Sequence, residues 1–495
     1  MRTTCLHAAI GAVGLCLLTP CGRSAPVTSR VSAAGAAQAA GHSGSPAISA
    51  NGAAVAFVSD AADLVSGDTN GANDVFVRNV QTGAVVRASV AQGGAQQDLG
   101  DPGWDTPAIS ASGRYVAFTS SATNLVPGDS NAAADVFVRD LQDGKTVCIS
   151  LAPGPAPANG DSFAPAISAD GQRVAFISRA SNLVAADDNG AADAFVYDFQ
   201  TGAITRVSVA SDGAQANGDT GAVSISADGR TVAFASYADN LAPADANHAA
   251  DILARNLATG ETFLVSATPN GEAGDSWSDG APSLSADGRL VAFVSAADDL
   301  APGDANGQPD VFVRDTLTGG TARASLAPDG AEANDASFTP AISANGRYVT
   351  FASNASNLTV SDANGTADVF VRDLWTGQTV LASVATAGTQ GDSWSGPFRA
   401  PTVTADGLTV AFESWAASLV SGDTNALGDV FARGPLFAAP AFTAADVRAA
   451  LRAAAGVETL TADQMARLNL ETAAPSTSVV DLADAIRLAR EAIAQ

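Results

Sequence analysis

The stretch SASGRYVAFTSSATNLVPGDSNAAADVFVRDLQDG, Ser110–Gly144, is written again with small changes as SADGRLVAFVSAADDLAPGDANGQPDVFVRDTLTG, Ser285–Gly319. The Phe of its Val-Ala-Phe element recurs at Phe57, Phe118, Phe176, Phe234, Phe293, Phe351 and Phe412, with spacings of 61, 58, 58, 59, 58 and 61 residues. A fixed period of this length signals a repeat architecture, in which each unit buries its apolar face against the next.

Each copy reads as four short strands. In the second copy these are Pro107-Ala108-Ile109-Ser110, Tyr115–Ser120, Asp135–Asp140 and Thr146–Leu151. Asx-Gly pairs such as Asp170-Gly171, Asp228-Gly229 and Asp287-Gly288 separate the first two strands, and such pairs tolerate the positive φ of a tight hairpin. Four antiparallel strands with two tight turns at this period predict an all-β, seven-bladed β-propeller of four-stranded blades. The last copy, from Pro401, stops after its third strand, Asp429–Arg433, whereas Val27-Thr28-Ser29-Arg30-Val31-Ser32 matches the fourth-strand sequence Ala203–Ser208. The N-terminal strand is therefore expected to complete the seventh blade, which removes the unpaired sheet edges that invite aggregation.

The motifs Ser-Ala-Asp-Gly-Arg, Val-Ala-Phe-x-Ser and Asp-Val-Phe-Val-Arg-Asp resemble the TolB-like, WD-repeat-like β-propeller family over residues 27 to 434. That resemblance implies a periplasmic or surface interaction platform. Propellers of this kind also cap some peptidases, but a separate hydrolase domain is then expected and none is visible in the sequence. A propeller fold does not by itself assign a role.

The formal charge is −26, from 25 basic and 51 acidic residues. Such a surface repels nucleic acid and anionic lipid, and suits cations, neutral sugars or basic peptides. Residues 1–21 read as a signal peptide: Arg2 precedes the apolar stretch Ala8–Leu18, which is too short to span a bilayer. Leu18-Thr19-Pro20-Cys21 resembles a lipoprotein signal that would lipidate Cys21, with Pro20 as a departure; ordinary cleavage is the alternative. The protein is expected to be exported to periplasm, outer membrane or medium, with membrane contact only through such an anchor. Cys148 is the one cysteine beyond the leader, so no internal disulfide forms. It replaces the Arg found at Arg87, Arg206 and Arg323 in sister repeats.

The loop between the second and third strands repeats Asp-x-Asn-x-x-x-Asp seven times: Asp68/Asn70/Asp74, Asp129/Asn131/Asp135, Asp187/Asn189/Asp193, Asp245/Asn247/Asp251, Asp304/Asn306/Asp310, Asp362/Asn364/Asp368 and Asp423/Asn425/Asp429. Alternating oxygen side chains suit calcium, which takes six to eight oxygen ligands. The pattern resembles a shortened form of the calcium loops of integrin-type propellers. The alternative is that these residues cap their own loop as Asx turns.

An aromatic residue precedes the first strand in five repeats: Trp104, Phe163, Trp277, Phe338 and Trp394. These residues either stack on a sugar or hold a cationic peptide, or plug adjacent blades. With His42 and His248 the only histidines beyond the leader, neither a zinc cluster nor a Ser-His-Asp set is apparent. A glycosidase carboxylate pair is not singled out.

After a linker at 435–441, helical periodicity begins. Thr443 caps a segment to Ala455 and a second runs from Val480 to Ala494. Val480–Leu488 resembles the opening of a dockerin helix, which implies a cohesin-like partner for the module at 442–495; a plain helical cap is the alternative. Together these features predict a monomeric, non-enzymatic binding or scaffold protein that presents an acidic loop face to a protein or carbohydrate. The alternatives are a purely structural, calcium-stabilised envelope protein or a carbohydrate-active enzyme.

Overall fold

The computed structural model describes residues 25–35, 37–98, 105–153, 157–243, 245–360, 362–396 and 399–437. The expectations for the leader with Cys21, for Trp104 and for the helical module lie outside these residues. Within residues 26–436 the chain forms seven four-stranded antiparallel sheets. Blade 1 is Ser43–Ile48, Ala54–Ser59, Asp74–Asn79 and Val85–Arg87. Blades 2 to 6 open with first strands Ala108–Ile109, Ser162–Ile167, Thr220–Ile225, Ser278–Leu284 and Ser337–Ile342. Blade 7 contains Thr402–Val403, Val410–Ser414 and Asp429–Gly434, and its fourth strand is Val27–Arg30.

That N-terminal strand pairs in register with the end of the propeller, Val27 opposite Gly434 and Arg30 opposite Phe431. The match of deficit and surplus read from the two ends of the repeat is thus realised. A belt of backbone hydrogen bonds joins the tight turns of successive blades: Ala111 N to Ala169 O, Ala169 N to Ala227 O, Ala286 N to Ala344 O, and Ala405 N to Ala50 O across the closure. First strands of neighbouring blades pack on one another, so they line the axis.

The two middle strands are buried on both faces, because each blade is covered by two others. This explains why Val-Ala-Phe-x-Ser and Asp-Val-Phe-Val read as nearly continuous apolar runs. Their Phe residues stack across strands, as Phe118 on Phe137 at 5.8 Å and Phe412 on Phe431 at 6.0 Å, and such pairs add to the stabilisation from burial. The third-strand Arg reaches into the preceding blade: Arg314 Nη1 donates to Ala267 O at 3.0 Å and Arg372 Nη1 to Leu326 O at 2.9 Å. Gly407 needs both its positive φ and its missing side chain, since a Cβ there would enter the Tyr348 ring of the blade before it.

The fourth strand of blade 2 ends at Cys148 rather than at Leu151. The reason is local: the Ser150 hydroxyl, not its carbonyl, accepts from Val136 N at 3.0 Å, so the ladder passes to a side chain and the backbone departs. Every blade repeats this device, ending with Ser32 accepting from Val430 N in blade 7.

Deleting residues 26–32 leaves Asp429–Gly434 with an unpaired edge. The shortened chain is expected to melt at lower temperature and to elute as dimers or aggregates in size-exclusion chromatography. An unchanged monomer with an unchanged melting point would show that closure contributes nothing.

Candidate functional site

All seven Asp-x-Asn-x-x-x-Asp loops lie between second and third strands, on the face opposite the turn belt. The final Asp opens the third strand and is fully buried in each blade. Its carboxylate accepts from the fourth-strand Ser just described: Ser150 Oγ to Asp135 Oδ1 at 2.6 Å, Ser266 Oγ to Asp251 Oδ1 at 2.5 Å, Ser32 Oγ to Asp429 Oδ1 at 2.5 Å, with Ser89–Asp74, Ser208–Asp193, Ser325–Asp310 and Ser383–Asp368 alike.

The Asn residues make Asx turns. Asn131 Oδ1 accepts from Ala133 N at 3.1 Å, and its Nδ2 donates to Asp135 Oδ2 at 3.1 Å and to Ala158 O at 3.0 Å. Asn70, Asn189 and Asn306 do the same. Asn247, Asn364 and Asn425 also form the turn; the first two donate to Gly274 O and Gly391 O further along the chain, and Asn425 donates across the closure to Ala39 O. The residue after each Asn takes positive φ, being Gly in four blades and Ala132, His248 or Ala426 in the others.

The first Asp of the motif meets a cation in four blades. Arg87, Arg206, Arg323 and Arg30, all from the fourth strand, pair with Asp68, Asp187, Asp304 and Asp423 at 3.0–3.2 Å and also reach Asp74, Asp193, Asp310 and Asp429. In blades 2, 4 and 6 that Arg is Cys148, Leu264 or Leu381, each in the same register. Blade 6 compensates with Gln390, whose amide donates to both Asp362 and Asp368 at 2.8 Å.

Among the described residues, Asp304, Asp310 and Glu332 bring three carboxylates to metal-ligand spacing. The Arg323 guanidinium lies among them, so the site carries its own cation.

Burial dominates the electrostatics. It pushes the Asp74, Asp129, Asp245 and Asp368 carboxyls up to about 6, and Asp251 and Asp304 to about 7. Asp315, on the other face, also feels burial, but the Arg289 guanidinium and turn amides outweigh it and hold the group at about 2. The Cys148 thiol is pushed up to about 12 by burial and by the Asp135 charge, which leaves it unreactive.

The aromatic residues divide. Phe163 and Phe338 pack into clusters between blades, the former under the Arg179 guanidinium at 5.1 Å. Trp277 is 40 % exposed. Trp394 stacks on Trp415 at 5.0 Å and 29°. Trp415 in turn packs against His42 at 5.1 Å, and His42 Nε2 lies 3.4 Å from Glu413 Oε1. Glu413 Oε2 accepts from Ser45 N at 3.3 Å, beside Gly44, where any side chain would collide with the carboxylate.

This cluster, at the seam of blades 7 and 1, breaks the repeat. Glu413 is buried where the sister strands carry Val58, Thr119, Ile177, Ala235, Val294 and Ala352. Trp415 follows the strand where the others carry Asp60, Ser121, Arg179, Tyr237, Ala296 and Asn354. Aligning the copies column by column exposes both substitutions; the repeated motifs alone conceal them.

A scan against family models gives no match, and no curated protein matches. Several solved structures are similar. An oligogalacturonate lyase in complex with manganese is 12% identical, with TM-score 0.49 over 82% of this chain and 93% of that one. A putative TolB from Agrobacterium tumefaciens is 13% identical, with TM-score 0.36 over 57% and 79%. An acylaminoacyl peptidase from Pyrococcus horikoshii is 12% identical, with TM-score 0.44 over 76% and 50%. At such identity the likeness concerns the fold. The expectation of a non-enzymatic protein is nonetheless corrected: enzymes stand among the structures similar to this propeller, so the architecture gives no ground for excluding catalysis. That exclusion relied on scarce, dispersed histidine, on no carboxylate pair standing out and on no hydrolase domain being visible in the sequence. The fold instead pairs one of the two histidines with a buried carboxylate.

A carboxyl whose pKa is higher folded than unfolded stabilises at low pH and loses that contribution as pH rises through the folded value. In chelator, the melting temperature is therefore expected to fall between pH 5 and pH 8, as the groups held at about 6 to 7 ionise. Asp315 acts oppositely, losing its contribution as pH falls toward 2. Calorimetry that shows a melting point flat or rising from pH 5 to pH 8 would contradict this.

Proposed function

We propose that the chain binds a neutral saccharide at the seam of blades 7 and 1 and performs proton-transfer chemistry on it. His42 is the acid or base, and Glu413 is the residue that positions it. The observation that carries this reading is Glu413. A carboxylate is buried at a position that six sister blades fill with small, apolar or hydroxyl side chains. Burying a charge is costly unless it is paired, and the propeller scaffold needs no charge there. An imidazole held beside a buried carboxylate is the kind of group that serves as a general acid or base.

The stacked Trp394–Trp415 pair beside this dyad offers an indole face of the kind that sugar rings stack on. The strongly acidic surface favours neutral over anionic glycans. Export, read from residues 1–21, belongs to the same proposal, since it brings such a site to extracellular saccharide.

The test is a glycan-array screen of the full chain, followed by turnover assays on the glycans retained. Trp394→Ala and Trp415→Ala are expected to weaken binding at least about tenfold, the equivalent of about 1.4 kcal/mol. His42→Ala and Glu413→Gln are expected to keep binding and to lose about 10²–10⁴ in kcat. Binding unaffected by either Trp variant, or a Glu413→Gln variant as active as the parent, would overturn the reading.

A further inference from the structure

Blade 4 keeps the Ser266 hydroxyl and the Asn247 turn, but it has lost both the Arg and the Gln that neutralise or cover this carboxylate pair in sister blades. Leu264 stands where Arg206 stands in blade 3, opposite Leu253 as Arg206 is opposite Phe195. Ala273 stands where Gln215 stands, bridging to Ala267 as Gln215 bridges to Val209. Neither replacement carries a hydrogen-bond donor in its side chain.

The acids themselves are retained. Asp245 is only 6 % exposed, and both of its carboxylate oxygens are buried with no hydrogen-bond partner. Asp251 is fully buried; its Oδ1 takes the Ser266 hydroxyl at 2.5 Å, and its Oδ2 completes no hydrogen bond, with the Asn247 amide and the Asp245 carboxyl as its near neighbours. The two carboxyls are adjacent enough to interact directly. His248 does not fill the gap, because its ring pairs at the exposed side with Asp239 Oδ2 at 3.1 Å. Blade 2 lacks the Arg too, but there Asn131 covers Asp135 Oδ2 at 3.1 Å.

Two adjacent buried carboxylates with three unpartnered oxygens repel one another unless a cation or a shared proton lies between them. In blades 1, 3, 5 and 7 the cation is a guanidinium. We propose that blade 4 holds a divalent, oxygen-seeking cation of the calcium class between Asp245 and Asp251, in the place the guanidinium takes in its sisters. The donors are carboxylate oxygens, which suit calcium or magnesium rather than metals that favour nitrogen or sulfur. Water and backbone carbonyls complete the shell. The ion performs for blade 4 what Arg206 performs for blade 3, locking the loop to the strand beneath it.

The experiment is calorimetric titration of the chelator-stripped full chain with calcium, then with magnesium and manganese. The comparison variant is Leu264→Arg, which copies the residue of the sister blades and is therefore compatible with the fold. Leu264→Arg combined with Ala273→Gln copies blade 3 at both positions. The parent is expected to bind calcium, with both variants binding one ion fewer per chain and matching the melting temperature of the calcium-loaded parent. A parent that binds none of the three ions, or a Leu264→Arg variant with the parent's stoichiometry, would overturn the assignment.

Discussion

Each blade buries one carboxylate at the start of its third strand, and the architecture of the loop face follows from what that carboxylate requires. Its first oxygen takes the hydroxyl of a fourth-strand Ser. That Ser also accepts the next third-strand amide, so strand pairing continues through a side chain where the backbone turns away. Its second oxygen is the anchor for the Asn amide, the Arg guanidinium or the Gln amide that tie down the loop above. A buried carboxylate linked to three segments is stabilising only while its charge is matched, and the blades differ in how they match it.

Ring closure extends the same bracket across the termini. Ser32, Arg30 and Gln38 come from the start of the chain, and all three meet Asp423 or Asp429 near its end. The closing contact therefore goes beyond a fourth strand added to a sheet edge: it delivers the hydroxyl, the cation and the amide that the seventh loop needs. The seam this creates is also where the repeat is broken by His42, Glu413 and Trp415. Identical blades generate a symmetric scaffold. Blade 4 departs from that symmetry in its loop, and the junction of the two chain ends departs from it in an interior carboxylate and a stacked indole pair.

Much of this was legible in the sequence. The period, the turn glycines and the alternation of Val, Ala and Phe specify four-stranded blades and their number, because backbone pairing and face-to-face packing leave little choice. The missing fourth strand at Arg433 and the spare one at Val27 predict closure. What the motif could not convey is the partner of each acid. Asp-x-Asn-x-x-x-Asp presents three oxygens on paper, but folding turns the Asn amide nitrogen toward the final Asp in four blades and uses its oxygen in an Asx turn. The counter-ion comes from the fourth strand, 13 and 19 residues beyond the two acids in blades 1, 3 and 5 and from the other end of the chain in blade 7, so its loss at Leu264 acquires meaning only once that strand is seen to lie beside the loop. Glu413 was hidden for a related reason. Within Val-Ala-Phe-x-Ser it occupies the variable position, and only the fold shows that this position is interior.

The central claim is that the carboxylate pair of each loop is matched by one positive or covering group, and that blade 4 alone among the described loops takes that group from solution. Anomalous diffraction from crystals of the full chain soaked in a lanthanide, a calcium mimic that scatters strongly, tests it directly. The prediction is a peak between Asp245 and Asp251, with oxygen contacts about as long as those calcium makes, 2.3–2.6 Å, and none at the loops that hold Arg30, Arg87, Arg206 or Arg323. No peak in blade 4, or peaks in the arginine-bearing loops, would contradict it.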